Sequence, residues 1–256
     1  MTQINPYEGQ QHAVRIGAEP CADCPVRFRA VCSGCGKDDL DRLEAAKFTR
    51  SFQAGQVIVW AGDRLDFVAS ILSGAASMTQ TLEDGRTQIV GLLLPSDFLG
   101  RPGRDRTPYT VTAVSDITLC CFRRRPFESL LSGTPALGGR LLQMTLDELD
   151  AAREWMLILG RKSAREKIAS FLAILARREA ARRRTTRLDG IEIDLPLTRE
   201  AMADYLGLTL ETVSRQMSGL KRDGLITLTG LRHVIIPDYG LLVAEGGDDA
   251  DGGPLS

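Results

Sequence analysis

Between residues 48 and 123 the apolar positions come in short stretches broken at regular intervals by turn residues: Gln53-Ala54-Gly55, Ala61-Gly62-Asp63, Ser73-Gly74, Glu83-Asp84-Gly85 and Pro95-Ser96-Asp97. Short strands at this spacing predict an antiparallel barrel or sandwich. Asp84-Gly85, between the stretches 75–82 and 86–94, is a strong hairpin signal because both residues tolerate positive φ. The segment 100–108, GRPGRDRTP, predicts a loop, after which a strand resumes over 109–122.

The period changes near Thr134-Pro135. Leu142, Leu146, Leu149, Met156 and Leu159 recur at helical spacing with Ala152 filling the gap, and Leu141, Trp155 and Ile158 form a second apolar strip beside them. A long helix that is apolar on two sides needs two partners, such as its own barrel and a twin helix in a dimer. A second helix follows over 164–184, with Ile168, Phe171, Leu172 and Leu175 on one face.

At 256 residues and about 150 per domain, the chain predicts two domains. Hydrophobic residues at 43% and charged residues at 25% place it among globular proteins. The net charge of -1 conceals an uneven distribution: residues 161–187 hold ten Lys or Arg against two Glu, whereas 245–256 hold four acids, no bases and four glycines and predict a disordered tail. The longest apolar run, 89–94, is too short to span a membrane, and the N-terminus lacks a signal pattern, so a cytoplasmic protein is expected.

Residues 198–222, TREAMADYLGLTLETVSRQMSGLKR, carry a helix-turn-helix pattern. Thr198 caps a first helix with Ala201, Met202 and Leu206 inward. Gly207 permits the turn, and Thr209 caps a second helix with Val213, Met217 and Leu220 inward. Glu211, Ser214 and Arg215 project together from the opposite face of that helix. Arg can donate to guanine O6 and N7, Glu can accept from cytosine N4, and Lys221, Arg222 and the 161–187 cluster can neutralise phosphates. The competing reading, a surface Glu211–Arg215 ion pair, is worth a few tenths of a kcal/mol. The two caps, the glycine turn and the flanking bases favour DNA. Residues 225–229 and 234–236 around Gly230 predict a two-stranded wing containing His233.

Six cysteines stand at 21, 24, 32, 35, 120 and 121. Cys21, Cys24, Cys32 and Cys35 have the spacing C-x2-C-x7-C-x2-C, which suits three chemistries. Those four alone could hold a structural zinc. An iron-sulfur cluster could draw one ligand from Cys120 or Cys121, and a reversible disulfide is the third option. Cys120 and Cys121 are adjacent, and on a strand they face opposite sides. No nucleophile–base or paired-carboxylate arrangement stands out, so no enzyme is expected.

A cysteine-rich N-terminus, a barrel with the turn Ser96-Asp97-Phe98-Leu99-Gly100, a long helix and the helix-turn-helix segment ETVSR (Glu211 to Arg215) together resemble the CRP/FNR transcription regulators. The likeness is to the FNR branch, in particular its alphaproteobacterial FnrL- and FixK-like members, and it covers residues of about 20 to 240. It implies an α+β fold: a cysteine segment at 1–38 and a β-roll sensor domain at 39–134, cupin-like and of the cyclic-nucleotide-binding type. A dimerisation helix at 135–161 and a winged helix-turn-helix at 162–244 follow, before a tail at 245–256.

The resemblance also implies a 4Fe-4S cluster held by Cys21, Cys24, Cys32 and Cys120, leaving Cys35 and Cys121 as alternates. The interval before Cys32 departs from the shorter one of the enteric regulator, which leaves the choice between Cys32 and Cys35 open. Gly100 is followed by Arg101-Pro102 and the later segment reads Arg106-Thr107-Pro108, so the acid and backbone donor with which the family's cyclic-nucleotide sensors bind are missing. No cyclic nucleotide is therefore expected, and His12 and His233 are poorly placed for haem. The expected activity is oxygen-responsive DNA binding by a homodimer that works with RNA polymerase, activating or repressing from palindromic operators near TTGAT-N4-ATCAA. The alternatives are a zinc-stabilised module that binds a ligand or partner protein, and a same-family sensor of nitric oxide or redox state.

Overall fold

The computed structural model describes residues 20–247; the N-terminal residues that include His12, and the tail from 248, lie outside the described residues. The chain divides into two compact units, one comprising the residues up to Ala76 and Leu93–Gly138, the other Ser77–Leu92 and the residues from Gly139.

The first unit opens on a 3-10 turn at Cys21–Asp23 and the helix α1 (Lys37–Ala46), which buries Leu40 and Leu43 and runs directly into β1 (Lys47–Phe52). The strands that follow are β2 (Val57–Val59), β3 (Phe67–Ser73), β4 (Ala76–Thr81), β5 (Thr87–Leu93), β6 (Phe98–Leu99), β7 (Thr110–Ala113) and β8 (Ile117–Arg123), of which β4 and β5 fall almost wholly in the second unit. They form two four-stranded sheets, ordered β1-β8-β3-β6 and β2-β7-β4-β5. The turns lie where Gly55, Gly62, Gly74 and Gly85 predict them, each glycine in the left-handed region that side chains disfavour. Along β8, Ile117, Leu119 and Cys121 are buried on one face and Cys120 lies between them on the other.

Two helices here escaped the sequence reading. Helix α1 has only two buried apolar residues, too few to show a period. Helix α2 (Arg124–Gly133) carries Pro126 in its first turn, where proline is tolerated, and anchors itself by Phe127, whose ring packs 5.6 Å from Phe98 and 5.5 Å from Phe122. The single strand expected over 109–122 is broken instead at residues 114–116, where the Ser115 hydroxyl accepts the Ala75 N–H at 3.0 Å.

In the second unit α3 (Pro135–Arg161) is the long helix. Its strip at Ile158 is fully buried, whereas Leu142, Leu146, Leu149 and Met156 are 61%, 47%, 46% and 73% exposed. Helix α4 (Ala164–Arg183) starts with a reciprocal capping box between Ser163 and Glu166 and buries Ile168, Phe171, Leu172 and Leu175. Then come β9 (Ile191–Asp194), α5 (Arg199–Leu206), α6 (Leu210–Arg222), β10 (Thr227–Thr229), β11 (His233–Ile236) and α7 (Tyr239–Glu245). The predicted two-stranded wing is a three-stranded sheet in the order β10-β11-β9, because the alternating Ile191-Glu192-Ile193-Asp194 supplies a further strand. Glu245, read from sequence as the start of the tail, ends α7 and pairs with Arg165.

Candidate functional site

Helices α5 and α6 owe their start points to hydroxyl caps. Thr198 Oγ1 accepts the Ala201 N–H at 3.1 Å, and Thr209 Oγ1 accepts the Thr212 N–H at 3.2 Å. Between them Gly207 takes φ 62° and closes α5 by donating to Ala203 O. Met202, Ala203 and Leu206 of α5, and Val213, Met217 and Leu220 of α6, are buried. This burial leaves Glu211, Ser214 and Arg215 exposed along the outer face of α6. Among the described residues no ion pair joins Glu211 to Arg215, so both side chains keep their hydrogen-bonding capacity for another molecule. Lys221 and Arg222 are exposed at the C-terminal end, where Arg222 lies 3.5 Å from Asp223.

The basic stretch 161–187 is less available to phosphates than its charge suggests. Arg165 braces the unit internally, bonded to Glu245 and lying 2.8 Å from Asp223. Arg182 and Arg183 each reach Glu179 at 2.6 Å, and Lys167 Nζ donates to Leu206 O at 3.2 Å, satisfying a carbonyl at the end of α5. Only the acids that hold Arg165 are distant in sequence; Glu179 takes Arg182 and Arg183 at ordinary i,i+3 and i,i+4 helical spacing. The wing turns at Gly230 (φ 65°), leaves Leu231 exposed at its tip, and holds His233 Nδ1 at 2.9 Å from Asp194 Oδ1.

Cys120 and Cys121 lie on β8, the second strand of the β1-β8-β3-β6 sheet, on opposite faces. In its register Cys120 stands opposite Thr49 of β1 and Ser70 of β3, and Cys121 stands opposite Phe48 and Ala69 on the other face. Lys47 shares the Cys120 face, and its Nζ donates to Cys21 Sγ at 3.4 Å, so the N-terminal segment lies over that face. The Cys21 N–H is held by Glu44 Oε2 at 3.0 Å.

The electrostatic neighbourhoods separate the six thiols further. Burial pushes the Cys32 thiol up to about 11, with Cys24, Cys21 and, more weakly, Cys35 raising it further. Burial also pushes Cys120 strongly upward, Cys121, Cys21 and Cys32 adding to the effect and Lys47 opposing it. Burial raises Cys35, but its charged neighbours are Asp39 and Arg27. Cys121 is pushed up to about 12 by burial, opposed by Arg50. Cys120 is thus influenced by Cys121, Cys21 and Cys32, and Cys32 by Cys24, Cys21 and more weakly Cys35, while strand alternation turns the Cys121 side chain to the opposite face of the sheet.

Among the described residues no three His, Cys, Asp or Glu side chains converge closely enough for a single metal ion. The donor set nevertheless fits an iron-sulfur cluster in its chemistry, since it offers soft sulfur ligands, with Cys21 and Cys121 buried and Cys120 on a barrel strand.

Residues 166–245 match the model of the Crp-like helix-turn-helix domain, and 49–134 match that of the cyclic nucleotide-binding domain. The transcriptional activator protein FnrL of Cereibacter sphaeroides is 62% identical over 94% of this chain and 98% of its own. The nitrogen fixation regulation protein FixK of Bradyrhizobium diazoefficiens is 37% identical over 81% of this chain and 86% of its own. Among solved structures, FixK2 from Bradyrhizobium japonicum superposes with a TM-score of 0.68 at 30% identity, covering 77% of this chain and 95% of that one.

Proposed function

The chain belongs to the CRP/FNR family of DNA-binding transcription regulators, which are not enzymes, and on that premise we propose that it is an oxygen-responsive activator held in its active form by a 4Fe-4S cluster. The observation that supports the reading is geometric: Lys47 Nζ, on the face of the sheet that Cys120 shares, donates to Cys21 Sγ at 3.4 Å and so brings the N-terminal cysteine segment to the barrel strand that carries Cys120. Cys21, Cys24, Cys32 and Cys120 are the proposed ligands. A bound cluster of this kind supplies a centre that dioxygen oxidises and dismantles.

The chain's own residues relate that event to DNA binding. Ligation ties the N-terminal segment to β8. Directly after that segment comes α1, whose Asp39 carboxylate accepts from the Thr134 hydroxyl at 3.4 Å, immediately before α3 begins at Pro135. Releasing the cysteines loosens α1 and with it this buried tether at the root of the long helix. Leu142, Leu146, Leu149 and Met156 form the dimer seam, a stripe of large apolar residues at helical spacing that the monomer leaves exposed, with Leu157 exposed beside it. In the dimer two α6 helices present Glu211, Ser214 and Arg215 to successive major grooves about 34 Å apart, which favours a palindromic operator near TTGAT-N4-ATCAA. RNA polymerase is the proposed second partner on the promoter.

In the sensor domain Gly100 is followed directly by Arg101-Pro102 and not by an acid, and the Arg106 guanidinium donates to Gly62 O, which supports sensing without a cyclic nucleotide. Among the described residues no helix is long and apolar enough to cross a membrane, in keeping with action in the cytoplasm.

The test is anaerobic purification of the full chain followed by iron and sulfide analysis, visible absorption, and oligomer mass before and after air. Iron and sulfide in equal amounts, a broad visible band and a dimer that dissociates in air are expected. Colourless protein carrying one zinc would overturn the sensor mechanism.

A further inference from the structure

Thr49 on β1, Cys120 on β8 and Ser70 on β3 stand in line across three adjacent antiparallel strands. Directly opposed residues share a face with Cβ atoms about 4.5–5.5 Å apart, so a hydroxyl flanks the Cys120 thiol on each side. Thr49 and Ser70 are 6% and 3% exposed, and neither hydroxyl oxygen has a hydrogen-bond partner among the described residues. A buried unsatisfied hydroxyl costs about 1–3 kcal/mol, and valine or alanine would fill the same spaces without that cost. Two such groups beside one sulfur therefore call for an acceptor that the metal-free chain does not offer.

A thiol is a weak acceptor, whereas a metal-bound thiolate carries charge and free lone pairs and takes charge-assisted hydrogen bonds. We propose that Thr49 and Ser70 are positioning residues for the cluster: both hydroxyls donate to the sulfur of Cys120 once it is a metal-bound thiolate. The inference rests on the cluster reading above. Lys47, two residues along the same face and bonded to Cys21 Sγ, supplies a comparable donor to a second ligand sulfur. Donors on ligand sulfurs withdraw charge and favour the electron-rich state, and they hold the ligand in place, so they set how readily the centre is oxidised. In this chain the hydroxyl pair on the sheet, and not only the cysteine set, fixes the tolerance to oxygen.

The experiment compares Thr49→Val, Ser70→Ala and the double variant with Thr49→Ser and Ser70→Thr, each purified anaerobically as the full chain. Iron and sulfide content, resonance Raman bands in H2O and D2O, midpoint potential, lifetime of the visible band in air and melting of the metal-free protein are measured. The parent is expected to show Fe–S(Cys) bands that shift in D2O. The double variant should lose that shift, have a lower potential and bleach about 10-fold faster or more, while Thr49→Ser and Ser70→Thr stay near the parent.

The metal-free double variant should melt at the same temperature as the parent or higher, because unpaired buried hydroxyls have been removed. A purely structural role predicts the opposite pairing, with lower melting and an unchanged D2O shift and potential. A double variant with full iron content and parental Raman shift, potential and lifetime overturns the hydroxyl assignment alone. A parent without iron and sulfide overturns the cluster reading and the assignment with it.

Discussion

The indole of Trp155 lies flat against the ring of Tyr205, with centroids 4.2 Å apart and planes 20° from parallel. This stack packs the long helix against the first helix of the DNA-binding motif, and Phe171 of α4 meets both rings edge-on at 6.4 and 5.7 Å. Opposite faces of α3 therefore differ: the exposed leucines form the proposed dimer seam, and Trp155 packs on α5. Trp155→Ala should cost about 2–4 kcal/mol, combining partial loss of a large core side chain with loss of stacking. Trp155→Phe should cost less, since the buried indole N–H has no partner among the described residues. Denaturant unfolding of the second unit's helices checks both.

Charge on the exposed seam should act on assembly and spare the fold. Leu146 and Leu149 contribute little to the monomer's core, so Leu146→Asp or Leu149→Asp should leave circular dichroism unchanged. Both bring like charges together across the twofold axis and should weaken dimerisation by several kcal/mol. Sedimentation at graded concentration under anaerobic conditions measures the shift. A dimer of parental strength would move the interface elsewhere.

At the recognition helix, Arg215→Ala should relax discrimination at one guanine and cost about 1–3 kcal/mol on the specific operator. Binding to scrambled DNA should change little. Equal losses on specific and scrambled duplexes would make Arg215 a phosphate contact, and the salt slope of binding would then fall by about one.

The cap at Thr209 sets where α6 begins and so where Glu211 and Arg215 stand. Thr209→Ala removes the acceptor for the Thr212 N–H and should lower stability by about 1 kcal/mol. Thr209→Ser should restore it. Thermal melts resolve the pair, and operator affinity should follow the same order.

For the cysteines, the two faces of β8 predict opposite phenotypes. Cys120→Ser should abolish iron binding and leave the fold intact. Cys121, fully buried on the opposite face, should keep its iron as Cys121→Ala while losing stability through the small cavity created. Cys35→Ala should retain the cluster. Iron retained in Cys120→Ser but lost in Cys35→Ala would return the site to the four N-terminal cysteines.

Much of this protein is written locally. The helix-turn-helix was legible because Thr198, Gly207 and Thr209 act on their own neighbours through caps and a left-handed turn, and the hairpin at Asp84-Gly85 for the same reason. The long helix and its exposed leucine stripe were legible because a helix imposes its period on sequence. Helices α1 and α2 were not, since each buries only one or two apolar residues, too few to show a helical period.

The tertiary structure alone decided which charges and thiols meet. Ten bases in 161–187 look like a DNA-facing surface in sequence, yet Asp223 and Glu245, far along the chain, take Arg165 into internal ion pairs. Alternation along a strand requires Cys120 and Cys121 to face opposite ways, but only strand pairing places Thr49 and Ser70 beside Cys120 and the N-terminal segment over its face. Periodicity and capping act between residues a few positions apart and can be read along the chain. Ion pairing, burial and cross-strand register act through space between residues far apart in sequence, and folding sets them.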